Sequence, residues 1–256
     1  MKTPSVKKRK TTSVVPLTDE LAREPVIEPV IEPAGGRPKA LIRPRKRTGA
    51  EVAEIFQRFH ALNPEPKGEL EHTNSFTLLV AVVLSAQATD AGVNKATRRL
   101  FQLADTPMKM VTLGEDQVRE LIKTIGLYRN KAKNVILLSE KLIAEHGGEV
   151  PADREVLQSL PGVGRKTANV VLNMAFGQAT MAVDTHVFRV SHRLWFSKGR
   201  TPDAVEADLM KIVPAGYLMH AHHWLILHGR YTCKAVKPAC ERCVIADLCF
   251  SKDKRE

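Results

Sequence analysis

The stretch that most constrains this chain is LPGVGRKTANVV, residues 160 to 171. Gly162 and Gly164 sit in a tight turn between two helical patterns, with Lys166 at the start of the second. Upstream, Val156, Leu157 and Leu160 share one face. Downstream, Ala168, Val171, Leu172 and Ala175 recur at i, i+3, i+4 and i+7, a helical period. The spacing predicts helix, glycine hairpin, helix. Glycine lets the backbone take positive φ and approach a ligand with no Cβ in the way. The amides that open the second helix then face an anion, and the helix dipole favours it. A phosphate loop of the Walker type does not fit, because Arg165 stands where that motif needs Gly before its Lys. An ordinary helix–helix turn would hold the same glycines for geometry alone.

Charge points to nucleic acid as the anion, through a local patch. The net charge is +11, but residues 1–47 hold 12 of the 39 Lys and Arg and only 5 of the 28 Asp and Glu. The rest of the chain is close to balanced, so specific binding falls to a few placed residues. Residues 1–47 carry KKRK, a doubled PVIE and RPRKR, and their proline and charge density predicts a disordered basic tail. Such a tail serves as a solvated extension or as a sequence-independent DNA tether. The longest apolar run, Leu78 to Leu84, is far too short to span a bilayer. The basic N-terminus is followed by no apolar stretch of the kind a secretory signal requires.

From residue 48 onward helical periods dominate, and no alternating Val/Ile series appears, so the ordered part is predicted to be all-α. Val52, Ile55, Phe56 and Phe59 mark an amphipathic helix ending before Asn63-Pro64. An apolar helix follows at Phe76 to Leu84, running into SAQATD, where Gln87 interrupts the apolar run. Helices are expected over Val93 to Leu103, Asp116 to Thr124 and Asn134 to His146. Between the last two lies an apolar loop, Ile125-Gly126-Leu127-Tyr128, whose side chains either pack inward or serve as wedges for a base stack. Asp184 precedes a helical face of Val187, Val190, Ser191 and Leu194, which suits a helix cap. A last helical region, Pro214 to Gly229, carries His222, His223 and His228.

All four cysteines lie at the C-terminal end, Cys233, Cys240, Cys243 and Cys249, in the spacing C-x6-C-x2-C-x5-C. Such clustering argues for one metal centre. Four thiolates satisfy tetrahedral zinc or a [4Fe–4S] cluster. Structural zinc usually comes with two close Cys pairs. Here only Cys240 and Cys243 make one, which tilts the spacing toward iron–sulfur without deciding it.

Taken together, LLSAQATD, LPGVGRKTAN, VDTHVFRV, HHWLILHGRYTC and the cysteine spacing resemble the endonuclease III family. These are bifunctional DNA glycosylase/lyases of the helix-hairpin-helix superfamily. The resemblance covers residues 48 to 256 and leaves the tail aside. It implies a two-domain helix-hairpin-helix glycosylase fold with a [4Fe–4S] cluster loop at the C-terminus. The expected division is a six-helix bundle at 68–178, with the hairpin unit at 153–177, and a cluster domain joining 48–67 to 179–256. The implied partner is duplex DNA carrying damaged pyrimidines or abasic sites, met by a monomer in a bacterial cytoplasm.

The resemblance also implies roles. A damaged base must be flipped out of the duplex to be reached. Gln87 would fill the vacated space, and Leu127 would wedge the opposite side with Ile125 beside it. Gly162 and Gly164 would hold a phosphate, with Arg165 on the same DNA-binding surface. Lys166, as an unprotonated amine, would attack the sugar, expel the base and form a Schiff base. Asp184 would stabilise cationic character at the sugar or help deprotonate the lysine, with His186 behind it. The related adenine glycosylases lack the lysine that Lys166 matches and carry a further C-terminal domain. A DNA-binding module without catalysis would need the hairpin and cysteines, but not Lys166 and Asp184 together.

Overall fold

The computed structural model describes residues 45–254. The tail assigned to residues 1–47 therefore lies outside the described residues, except for its last three. Among the described residues there are eleven α-helices and no strand. In order they are α1 (Gly49–Leu62), α2 (Ser75–Ser85), α3 (Asp90–Leu103), α4 (Pro107–Leu113), α5 (Glu115–Leu121) and α6 (Tyr128–His146). Then follow α7 (Arg154–Gln158), α8 (Arg165–Phe176), α9 (Thr185–Arg193), α10 (Pro202–Ile212) and α11 (Ala215–Leu227). A π-helix, His228–Thr232, continues α11, and short 3-10 turns punctuate the cysteine loop.

Local chemistry sets most of these boundaries. Thr48, Asn74, Thr89, Thr106, Asp153, Asp184 and Thr201 each accept a first-turn amide at a helix start. Helices α4 and α10, which apolar periodicity does not reveal, both open with Thr-Pro. Proline at the first helical position loses only an N–H that would be unpaired there anyway. Helix α6 starts at Tyr128 rather than Asn134, so the apolar loop ahead of it is short.

Two apolar cores result. The first is built around α2, in which Leu79, Val80 and Leu84 are fully buried, with Ala168, Val171 and Leu172 of α8 against it and α3 to α6 closing the rest. Each such aliphatic side chain contributes about 1.5–3 kcal/mol relative to an exposed one. The second core joins α1 to chain far downstream. Val52, Ile55, Phe56 and Phe59 pack with Val187, Val190, Leu209, Trp224 and Ile245. Phe56 stacks on Phe196 at 5.7 Å, and the Trp224 indole donates to the Asn63 carbonyl at 2.7 Å.

The last residues assigned to the tail are docked. Arg47 is buried, its guanidinium 4.2 Å from the Phe250 ring centroid, and it donates to the carbonyls of Leu194 and Leu248. An arginine on the edge of a charged segment is held here because carbonyls and a ring face compensate it.

Candidate active site and cluster loop

The glycine hairpin lies between α7 and α8. Gly162 has φ +80, and a Cβ there would stand 3.0 Å from Asn134 Nδ2 and 3.3 Å from Val83 Cγ1. Both the backbone conformation and the packing of α2 and α6 demand glycine. Gly164 differs. Its φ is −94°, it is exposed, and a Cβ would meet nothing within 4 Å. It is the N-cap of α8 and offers no side chain to cap it, so the first-turn amides of a 12-residue helix are left open beside an unobstructed surface.

Lys166 is the second residue of α8. Its side chain is exposed, and its amine makes no hydrogen bond or ion pair among the described residues. Its charge is felt by His222, whose imidazole is pushed well below its ordinary pKa by burial first, then by His223 and Lys166. Arg165, one residue earlier, is engaged. It forms a two-pronged pair with Glu206 of α10 at 2.8 and 2.9 Å, and the buried Glu206 raises the guanidinium pKa. Its contribution to the hairpin is a tie to the second core.

The segment after α8 doubles back along it. Asn173 Nδ2 reaches the Gln178 carbonyl at 3.2 Å, Thr180 Oγ1 donates to the Asn169 carbonyl at 2.6 Å, and Asn169 Nδ2 reaches the Met181 carbonyl at 3.2 Å. The chain thus runs back toward the end of α8 that carries Lys166, and Asp184 follows three residues later. Asp184 Oδ1 caps α9, accepting from the amides of His186 and Val187 at 2.8 Å each. Its Oδ2 has no partner among the described residues, so the cap orients a carboxylate with one oxygen to spare.

Gln87 and Leu127 are both exposed and both lie in the left-handed region, at φ 55° and 58°. Their loops adjoin, since a Cβ on Gly126 would stand 3.9 Å from the Gln87 carbonyl oxygen. Non-glycine residues adopt that conformation rarely and at a cost, and such strain collects at binding sites. Ile125, expected beside Leu127, is 5% exposed and belongs to the first core, with its amide bonded to the Ile122 carbonyl at 3.1 Å. Leu127 alone of the two stands out, 56% exposed.

The four cysteines line one cavity with Leu194, His228 and Ile245. Among the described residues no three His, Cys, Asp or Glu groups converge on a single ion. Thiols that ring a space suit a multinuclear cluster better than one zinc ion. Burial pushes the Cys243 thiol up to about 12, and Cys249 is also raised by burial and by the other thiols. Thiolates at Cys243 and Cys249 therefore need positive charge beside them, which iron would supply. The loop has little regular structure, and arginines satisfy its carbonyls. Arg189 donates to Gly229 and Cys233, Arg193 to Cys233, Lys234 and Ala235, and Arg58 to Val244. Arg193 Nη1 also reaches Cys233 Sγ at 3.4 Å. Gly229 permits the close approach, since a Cβ there would lie 2.9 Å from His186 Cβ.

Glu206, Arg193 and Arg230 are missing from any reading of the sequence alone. The only local signal is the i, i+4 spacing of Arg189 and Arg193 on one helical face.

Residues 80–215 match the model of HhH-GPD superfamily base excision DNA repair proteins. Residues 233–249 match the iron–sulfur binding domain of endonuclease III. The chain is 57% identical over 198 residues to endonuclease III of Treponema pallidum (strain Nichols), covering 77% of this chain and 94% of that protein. It is 55% identical over 205 residues to endonuclease III of Escherichia coli (strain K12), covering 80% and 97%. Among solved structures, a trapped endonuclease III–DNA covalent intermediate matches with a TM-score of 0.75 at 47% identity, covering 79% of this chain and 96% of that one.

Proposed function

The chain belongs to the endonuclease III family of base excision repair proteins, and we propose that it removes oxidised pyrimidines from duplex DNA and then cuts the strand through a lysine Schiff base. The observation that carries the reading is the placement of Lys166. It is an unpaired amine one residue past the open N-terminus of α8. A phosphate bound by those amides would hold the target nucleotide beside the amine.

In the proposed sequence the nucleotide is flipped out, at a cost of a few kcal/mol. Gln87 fills the gap and Leu127 wedges the opposite strand. The Lys166 nitrogen lone pair forms a bond to the sugar C1′. The bond from C1′ to the base breaks, its electron pair leaves with the base, and the base takes up a proton. Opening of the sugar ring gives an iminium between Nζ and C1′. Loss of a proton from C2′ then expels the 3′ phosphate oxygen with its electron pair and cuts the strand. Asp184, with one carboxylate oxygen held by the α9 amides, offers the other to the cationic sugar or to the lysine proton.

The cofactor is a [4Fe–4S] cluster in the 233–249 loop, and its proposed ligands are Cys233, Cys240, Cys243 and Cys249. When bound it supplies a structural or redox-active centre. The proposed domains are a bundle at 68–178 and a cluster domain of 48–67 with 179–256. No helix among the described residues is long and apolar enough to cross a membrane. The proposed setting is a monomer acting on DNA in a bacterial cytoplasm.

Borohydride trapping on an abasic-site duplex tests the chemistry. Wild type is expected to give a covalent protein–DNA band and Lys166→Ala none. A band that survives in the variant would put the nucleophile on another amine. Binding without any band from either protein would leave a glycosylase without lyase activity, or a binding module.

A further inference from the structure

Arg230 lies in the π-helix between α11 and the first cysteine, in the second core's half of the molecule. Its Nη1 donates to Asp90 Oδ2 at 2.8 Å and also to the Glu69 carboxylate. The neighbouring Tyr231 hydroxyl donates to Glu69 Oε1 at 2.5 Å. Asp90 is the first residue of α3, and Glu69 sits in the linker that leads to α2. That linker is stitched to α3 as well. Asn94 Nδ2 donates to the Glu69 carbonyl at 2.8 Å, and its Oδ1 accepts the Glu71 amide at 2.9 Å. One guanidinium therefore gathers the linker, the start of α3 and the approach to the cysteine loop.

The consequence concerns Gln87. Its loop is a tight turn, closed by the Ala88 amide on the Ser85 carbonyl at 3.0 Å, and the Gln87 side chain makes no hydrogen bond among the described residues. A left-handed glutamine persists only where its surroundings over-determine it. One end of the turn is fixed by α2, which is buried from Phe76 to Leu84. The other end is α3, whose first residue is Asp90, and Arg230 holds that end. Without Arg230, two carboxylates would face each other across the linker and push it apart.

We propose that Arg230 is a positioning residue that fixes the Gln87 loop against the cysteine-loop half of the molecule for reading lesions. The lesion-reading part of this inference rests on the function proposed above. The holding of the loop does not.

The test measures hydrogen–deuterium exchange of residues 85–92 in cluster-loaded protein, beside binding to two duplexes, one with a stable abasic-site analogue and one undamaged. The variants are Arg230→Ala, Arg230→Lys, and Asp90→Asn, which weakens the same contact from the α3 side. Faster exchange is expected in Arg230→Ala and Asp90→Asn, with a fall of about tenfold in preference for the lesion duplex, the scale of one charge-assisted hydrogen bond. Arg230→Lys is expected to recover part of both. If Arg230→Ala loses its iron–sulfur absorbance, Asp90→Asn decides. Unchanged exchange overturns the proposal, and so does faster exchange with full lesion preference. If wild type itself has no lesion preference, the glycosylase reading fails and the exchange result alone decides whether Arg230 holds the loop.

Discussion

Gln87 and Leu127, on separate loops, are held in the same left-handed backbone conformation, and the Gln87 carbonyl lies against the glycine that precedes Leu127. Each strained residue costs about 1–3 kcal/mol. Leu127 is mostly exposed and recovers little of that through burial. Leu127→Gly is therefore expected to melt no lower than wild type, while its affinity for an abasic-site duplex falls at least about tenfold, the scale of burying one leucine side chain in the duplex. Thermal melts beside a binding titration check this. A variant that binds as well as wild type would remove Leu127 from the DNA interface.

The two hairpin glycines are expected to respond differently to alanine. Gly162→Ala forces a side chain into positive φ and against Asn134 and Val83, at a cost of about 1–3 kcal/mol in stability. Gly164→Ala meets no atom, so its cost is confined to the poorer N-cap that alanine makes for α8, about 1 kcal/mol or less. DNA affinity should nevertheless drop, because the new methyl stands beside the open amides of α8. Urea unfolding and binding, measured on both variants, separate the two effects.

Glu206 is buried with the Arg165 fork as its main partner and Arg154 more distantly at 3.5 Å. Arg165→Ala leaves that carboxylate poorly compensated, and a loss of about 2–3 kcal/mol is expected. Arg165→Lys should recover only part of it, since an ammonium cannot reproduce the two parallel bonds. Full recovery by lysine in urea unfolding would show that charge alone matters there.

His223 is buried, and burial, with a smaller contribution from His220, lowers its pKa from 6.5 to about 4. The folded state thus resists a proton that the unfolded state accepts. Its stabilising effect is complete above pH 6.5 and is lost as pH falls toward about 4. The full effect is at most about 3 kcal/mol. His223→Gln should flatten the pH dependence of unfolding across that window relative to wild type. An equally steep dependence in the variant would assign it to other groups, His222 among them.

What the sequence makes legible here is what is local. The hairpin, the apolar faces and the cysteine loop all rest on residues within a few turns of one another. Helices α4 and α10 were within reach too, through Thr106-Pro107 and Thr201-Pro202, but they lack a strong apolar stripe. Ile125 and Leu127 look alike in a sequence, yet one is buried in the first core and the other is 56% exposed at positive φ. The tie from Arg165 to Glu206 spans 41 residues and that from Arg230 to Asp90 spans 140. No periodicity encodes such pairings, because they depend on how the two cores meet.

The second core also imposes an order on synthesis. Helix α1 leaves the ribosome before the other described helices, with Val52, Ile55, Phe56 and Phe59 on its apolar face, yet their partners begin only at Met181. At roughly 5–20 residues per second, that face waits on the order of ten seconds for its complement. The bundle around α2 is complete before then and can fold during translation. The nascent chain therefore carries a finished bundle behind an amphipathic helix with nothing to cover it. This is the interval in which a ribosome-associated chaperone has most to bind.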